Sequence, residues 1–66
     1  MAVTREQVIA TIMKRDNLDY ETARDLVNET GWQIADAIDI GLGDAGAIEV
    51  LKDFLNLDKE YLYAFL

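Results

Sequence analysis

Apolar residues spaced three and four positions apart are the feature of this 66-residue chain that most restricts its fold. The clearest set is Ala47, Ile48, Leu51, Phe54 and Leu55. This spacing gathers side chains on one side of an α-helix, whereas a half-buried strand alternates apolar and polar residues. We therefore expect a single all-α domain whose short helices bury their apolar sides against one another.

Signals for helix ends divide the first part of the chain into three helices. Thr4 and Gln7 fit a capping box at the start of the first helix. Asp19 is the expected N-cap of the second helix, and Gly31 is expected to end it, because glycine readily adopts the left-handed conformation that follows many helices. A third helix is expected over residues 33–40, where the apolar residues also alternate well enough to resemble a strand.

Two further helices are expected after the glycine-rich break at residues 41–43, which makes about five in a compact bundle. Asp44 is the expected N-cap of the fourth helix, and Asn56 is expected to end it in the left-handed conformation. Asp58 is then placed to cap a short final helix.

Helices of two or three turns are not stable separately, so all of them must share one core. The residues expected at its centre are Ile12, Leu26, Ile34, Ile38, Ile48, Leu51, Phe54 and Leu62. A core of this size only just offsets the conformational entropy lost on folding, and self-association would add stability.

The residue types on which most enzymes depend are missing from the chain. It contains no cysteine, histidine or serine. A Ser-His-Asp triad, a Cys-His pair and the usual zinc ligands are therefore excluded. We expect no catalytic residue, no cofactor, no metal site and no enzymatic activity.

Two short patterns resemble ligand sites and fail the requirements of those sites. Residues 41–46 match G-x-G-x-x-G, but that motif binds dinucleotides within a βαβ unit, and too few residues follow to build one. A calcium loop beginning at Asp39 would place Gly41, Gly43 and Val50 where oxygen ligands are needed. We interpret the glycines as a turn and the nearby carboxylates as solvated.

The charge of the chain restricts its partners. The net charge is −7, and residues 31–58 contribute −5 of it, from six carboxylates against Lys52 alone. The expected acidic surface comprises Asp36, Asp39, Glu49 and Asp53. Such a surface repels nucleic acid and anionic lipid, so we expect neither direct nucleic-acid binding nor membrane binding. No run of about 20 apolar residues and no signal-peptide segment occurs, which favours a cytoplasmic protein.

Aromatic side chains are the remaining candidates for function. The expected partner-binding residues are Trp32, Tyr61, Tyr63, Phe65 and Leu66. Tryptophan and tyrosine dominate the energetically important positions of protein interfaces. Trp32 has two interpretations, a half-buried lid on the core or an exposed contact residue, and the C-terminal residues pack either on their own core or on a neighbour.

The spacing of the central segment is similar to that of the ubiquitin-associated (UBA-like) superfamily of three-helix domains. Ala23 matches the small alanine of their second helix, and Ile34 and Ala37 match the apolar and small positions that follow it. The resemblance covers residues 4–42 and implies a UBA-like unit extended by a helical segment over residues 44–66. Ubiquitin-binding members carry Met-Gly-Phe or Met-Gly-Tyr in the first loop, which this chain lacks at residues 15–18, so the resemblance argues for the fold rather than for ubiquitin binding.

The whole chain also resembles small acidic proteins encoded by phages and prophages, through residues 4–13 and 56–66. These features together favour a non-catalytic protein–protein interaction module whose partner is another protein. Two alternatives stay open. One is an acidic inhibitor that occupies a basic, nucleic-acid-binding groove on another protein, and the other is a self-assembling structural component, a homo-oligomer.

Overall fold

Three α-helices and a C-terminal 3₁₀ helix make up residues 3–66, the part of the chain that the computed structural model describes. The helices are α1 (Arg5–Asp16), α2 (Tyr20–Asp39) and α3 (Gly43–Leu55), and the 3₁₀ helix spans Lys59–Phe65. No strand occurs within residues 3–66. The expected all-α class is confirmed, whereas the expected count of about five helices is wrong.

The first two helices begin where their capping residues predict. The Thr4 hydroxyl accepts from the Gln7 amide at 3.2 Å, and the Gln7 side chain accepts from the Thr4 amide at 2.8 Å, which completes the capping box. The Asp19 carboxylate accepts from the Thr22 amide at 2.9 Å. Hydrogen bonds from the side chain and backbone of Thr22 lower the pKa of the Asp19 carboxyl. Both capping predictions are confirmed.

The turn predicted at Gly31 does not exist, and the second and third predicted helices are one helix, α2. The buried residues of α2 keep a spacing of three and four through this position: Ala23, Val27, Thr30, Gly31, Ile34 and Ala37. A glycine inside a helix costs only about 1 kcal/mol relative to alanine, which burial of one continuous apolar stripe exceeds. The prediction of a separate helix over residues 33–40 is therefore wrong.

Another side chain closely approaches the backbone of Gly31 inside α2. A Cβ atom there would lie 3.0–3.2 Å from the Arg5 guanidinium. The same guanidinium lies 5.2 Å from the centre of the Phe65 ring, and Arg5 Nε donates to the Ala64 carbonyl at 3.4 Å. Arg5 thus joins the start of α1, the middle of α2 and the C-terminal 3₁₀ helix, a role that the sequence did not indicate.

The left-handed glycine expected at the end of the second helix is Gly41 instead, with φ +94°. Its amide donates to the Ile38 carbonyl at 3.1 Å, and the Leu42 amide donates to the Ala37 carbonyl at 3.0 Å. These two bonds form a Schellman motif, which satisfies carbonyl groups at the end of α2. The turn then leads directly into α3.

The predictions for the ends of α3 and the last helix have mixed outcomes. Asp44 is not an N-cap, because the cap position is Leu42 and Asp44 lies in the first turn of α3. Asn56 ends α3 in the left-handed conformation as predicted, with φ 52° and its amide donating to the Lys52 carbonyl at 2.9 Å. Asp58 occupies the N-cap position of the 3₁₀ helix, but its side chain makes no capping hydrogen bond.

One hydrophobic core unites all four helices. Its buried members are Val8, Ile9, Ile12, Ala23, Val27, Ile34, Ala47, Leu51, Leu55, Leu57 and Leu62. Four predicted core residues are among them (Ile12, Ile34, Leu51 and Leu62), and Ile48 packs against this core while partly buried. The predictions for Leu26, Ile38 and Phe54 are wrong, since these side chains are 39%, 39% and 46% exposed.

Alanine substitution at two glycines tests whether α2 is continuous. Gly41→Ala is expected to lower the free energy of unfolding by about 1–2 kcal/mol, because alanine is strained at a positive φ. Gly31→Ala is expected to change it by less than about 1 kcal/mol, since the gain in helix propensity offsets displacement of the flexible Arg5 side chain. Urea unfolding followed by circular dichroism measures both. A larger loss for Gly31→Ala would instead favour a helix end at Gly31.

Candidate protein-interaction surface

Trp32 lies in the middle of α2 and points away from the core. Its side chain is 70% exposed, although tryptophan is largely buried in most proteins. The cause is its position around the helix axis. The buried residues Thr30, Gly31 and Ile34 share one side of α2, and Trp32 lies about halfway round the helix from the middle of that side. The interpretation of Trp32 as a half-buried lid is therefore wrong.

Carboxylates surround Trp32 along the exposed side of α2. Glu29 is three residues before it and Asp36 four residues after it, spacings that make side chains direct neighbours on a helix. Asp25 and Asp39 lie seven residues away in either direction, two turns along the same side. All four are exposed. We call this surface, formed by Asp25, Glu29, Trp32, Asp36 and Asp39, the Trp32 face.

The carboxylates of the Trp32 face differ in the side chains with which they interact. Asp25 has an ion pair of 3.5 Å with Arg24, and Glu29 accepts a hydrogen bond of 3.4 Å from the Gln33 amide group. Among residues 3–66, Asp36 and Asp39 have no cationic group within 4.0 Å. Both lie in the last turn of α2, which contains no basic residue. The helix dipole disfavours anions at that end, so the dipole does not stabilise these two charges.

The other half of the predicted acidic surface lies on a different helix. Glu49 and Asp53 are exposed and stand four residues apart on α3. They form an acidic strip of their own, with no exposed tryptophan or tyrosine within α3. The sequence prediction thus joined carboxylates from two helices, of which only Asp36 and Asp39 belong to the Trp32 face.

The C-terminal residues predicted to bind a partner divide into two groups. Tyr61 and Phe65 are partly buried and pack against the core, so they hold the 3₁₀ helix in place. Tyr63 and Leu66 are each 67% exposed. These two side chains, with Ile48 on α3, line a shallow hollow of about 290 Å³ between α3 and the 3₁₀ helix. This hollow is a second candidate surface.

Residues 3–66 contain neither a metal-binding cluster nor a membrane-spanning helix. Within residues 3–66, no group of three or more carboxylates is placed to share a metal ion. No helix in this range has both the length and the apolar content needed to cross a bilayer. Comparisons of the chain with known protein families, characterised proteins and solved structures found no match.

Proposed function

We propose that the protein is a non-catalytic protein–protein interaction module that binds its partner through the Trp32 face. The exposure of Trp32 on the side of α2 remote from the core is the observation that carries this proposal. Burying a tryptophan in an interface removes a large apolar area from water and commonly creates a binding hot spot. The absence of cysteine, histidine and serine supports a role without catalysis.

An acidic inhibitor of a basic, nucleic-acid-binding groove is the second candidate function. The carboxylates of the Trp32 face and the strip Glu49 and Asp53 on α3 favour it, because they are exposed and lie on long, regular helices. An inhibitor of this kind would bind mainly by long-range electrostatic attraction. Its binding would therefore disappear near 0.5 M salt, where the Debye length is only about 4 Å.

Paired variants test the proposed function. The unsubstituted chain, Trp32→Ala and Tyr63→Ala are each immobilised, and the amount of each protein that they capture from an extract of the source organism is compared. Trp32→Ala is expected to reduce capture of the specific partner about 30-fold, the effect of losing a hot spot of about 2 kcal/mol. Tyr63→Ala is the matched control, since it removes another exposed aromatic residue from a different helix.

The remaining outcomes of this capture experiment assign the binding to a surface. Circular dichroism should be unchanged in both variants, because both side chains are mostly exposed. Capture that survives Trp32→Ala and fails with Tyr63→Ala would contradict the proposal and place the partner at the C-terminal hollow. Capture that is insensitive to both substitutions and lost at 0.5 M salt would favour the inhibitor function.

A further inference from the structure

We infer that the partner presents an arginine-containing cationic segment whose guanidinium group stacks on Trp32 while the flanking carboxylates bind it from the sides. This inference rests on the proposed function and names the chemistry of the partner. It begins from an unpartnered helix face with one large aromatic side chain at its centre, which is 70% exposed and is not a member of the core.

The ring of Trp32 is the first reason for a cation. Among aromatic side chains, tryptophan attracts a cation over its face most strongly. Arginine suits such a site better than lysine because the planar guanidinium stacks on the ring and still directs its N–H groups to carboxylates at the side. Glu29 and Asp36 are the nearest carboxylates along the helix, one on each side of Trp32.

The position of Asp36 and Asp39 is the second, independent reason. Both charges lie at the end of α2 that the helix dipole makes unfavourable for anions, and neither has an ion pair among residues 3–66. Neither an ion pair nor the helix dipole therefore stabilises them within the fold. A cationic segment lying along the Trp32 face would neutralise both and would remove the mutual repulsion of like charges on this side.

The length of the Trp32 face is the third reason, and it indicates the size of the segment that binds there. The Trp32 face spans 15 residues from Asp25 to Asp39, whose 14 rises of about 1.5 Å give a length of about 21 Å. An extended peptide of about six or seven residues covers this length. The matching occupant is thus a short segment with two or three basic residues, one of them the arginine over Trp32.

The experiment uses the full chain and a synthetic 12-residue peptide with three arginines, carrying a fluorescent label. In one matched peptide every arginine is replaced by lysine, which keeps the charge. In a second, every arginine is replaced by citrulline, which keeps the shape of the side chain and removes its charge. Trp32 is the only tryptophan, so its intrinsic fluorescence reports binding at this position directly. Anisotropy of the label measures the affinity of variants that lack Trp32.

Two double variants separate the Trp32 face from acidity in general. Asp36→Asn with Asp39→Asn and Glu49→Gln with Asp53→Asn each remove two carboxylates, so both change the net charge from −7 to −5. The first pair is expected to weaken binding of the arginine peptide about tenfold and to raise the urea midpoint, because it relieves the unfavourable charges at the end of α2. The second pair is expected to weaken binding less than about twofold.

The arginine peptide is expected to change the fluorescence emission of Trp32 until binding saturates. The lysine peptide is expected to bind about fivefold more weakly, and the citrulline peptide is expected not to bind. Equal binding of the citrulline peptide, or equal losses from both double variants, would overturn the inference and leave a Trp32-dependent interface intact. No binding of the arginine peptide would also overturn it, while the capture experiment separately decides the proposed function. Undiminished binding of the arginine peptide by Trp32→Ala would likewise overturn the inference, because the peptide would then bind elsewhere on the chain.

Discussion

Replacing Leu51 with alanine is expected to cost about 2–5 kcal/mol of folding free energy, the range for leucine deleted from a well-packed core. Leu51 is fully buried on α3 and belongs to the core that all four helices share. A chain of 66 residues has a total stability of only about 3–10 kcal/mol. At the middle of both ranges the variant should therefore lose about half of its stability, and its unfolded fraction at 37 °C should rise.

Leu26→Ala is the matched control for Leu51→Ala, because it makes the same chemical change in the same type of element. Leu26 is 39% exposed, so its loss should be about 1 kcal/mol. Urea unfolding curves with a shared m-value give both differences. Equal losses would contradict the structure, since they would place Leu26 in the core as deeply as Leu51.

The starts of α1 and α2 and the end of α3 were predictable because their signals are local. The capping box of Thr4 and Gln7 and the cap at Asp19 each need only a side chain and an amide three residues later. The left-handed Asn56 is local in the same way. The prediction of a helix end at Gly31 was wrong because the environment of this glycine is set by a tertiary contact. Its lack of a side chain serves the approach of Arg5, 26 residues earlier in the chain, and not a turn.

The exposure of Trp32 was also contained in the sequence, in the phase of the apolar residues of α2. The buried residues Val27, Thr30 and Ile34 define a side that Trp32 does not share, but only if α2 is one helix. The prediction divided α2 at Gly31, so the positions of residues before and after Gly31 around the helix could not be compared, and Trp32 was placed at the start of a helix. The same division supported the resemblance to UBA-like domains, because it gave a second and a third helix where the structure has α2 alone.

The edges of the core could not be predicted from spacing. Ile38 and Phe54 fit the helical pattern as well as Ile34 and Leu51 do. Which apolar residues reach the centre depends on the side from which α1 and the 3₁₀ helix cover the α2–α3 pair. That arrangement depends on contacts distant in sequence, such as the hydrogen bond of 3.2 Å from Arg15 to the Asn56 carbonyl.

Replacing Leu62 with aspartate is the second substitution with a large expected effect. Leu62 is 6% exposed and is the one fully packed side chain of the 3₁₀ helix. A carboxylate at that position is either buried without a partner, at a cost of several kcal/mol, or carried into water by release of the whole helix. A single 3₁₀ helix has weak hydrogen bonds, so release is the cheaper response.

In Leu62→Asp we therefore expect the amides of residues 59–65 to lose their protection from hydrogen exchange before those of any other part of the chain. The m-value should also fall, because the native state then already exposes part of its core, and stability should drop by about 2–4 kcal/mol. Tyr63→Asp is the control. It adds the same charge at the next residue, which is 67% exposed, and should change stability by less than about 0.5 kcal/mol.

The contrast between Leu62→Asp and Trp32→Ala separates the two roles assigned to the chain. Release of the 3₁₀ helix breaks the contacts of Arg5 with Ala64 and Phe65, yet the Trp32 face lies wholly on α2. At low temperature, Leu62→Asp should keep its affinity for the arginine peptide within about twofold, while Trp32→Ala loses affinity and keeps its stability. A parallel loss of binding in Leu62→Asp under conditions where α2 stays protected from exchange would mean that the C-terminal hollow belongs to the same interface.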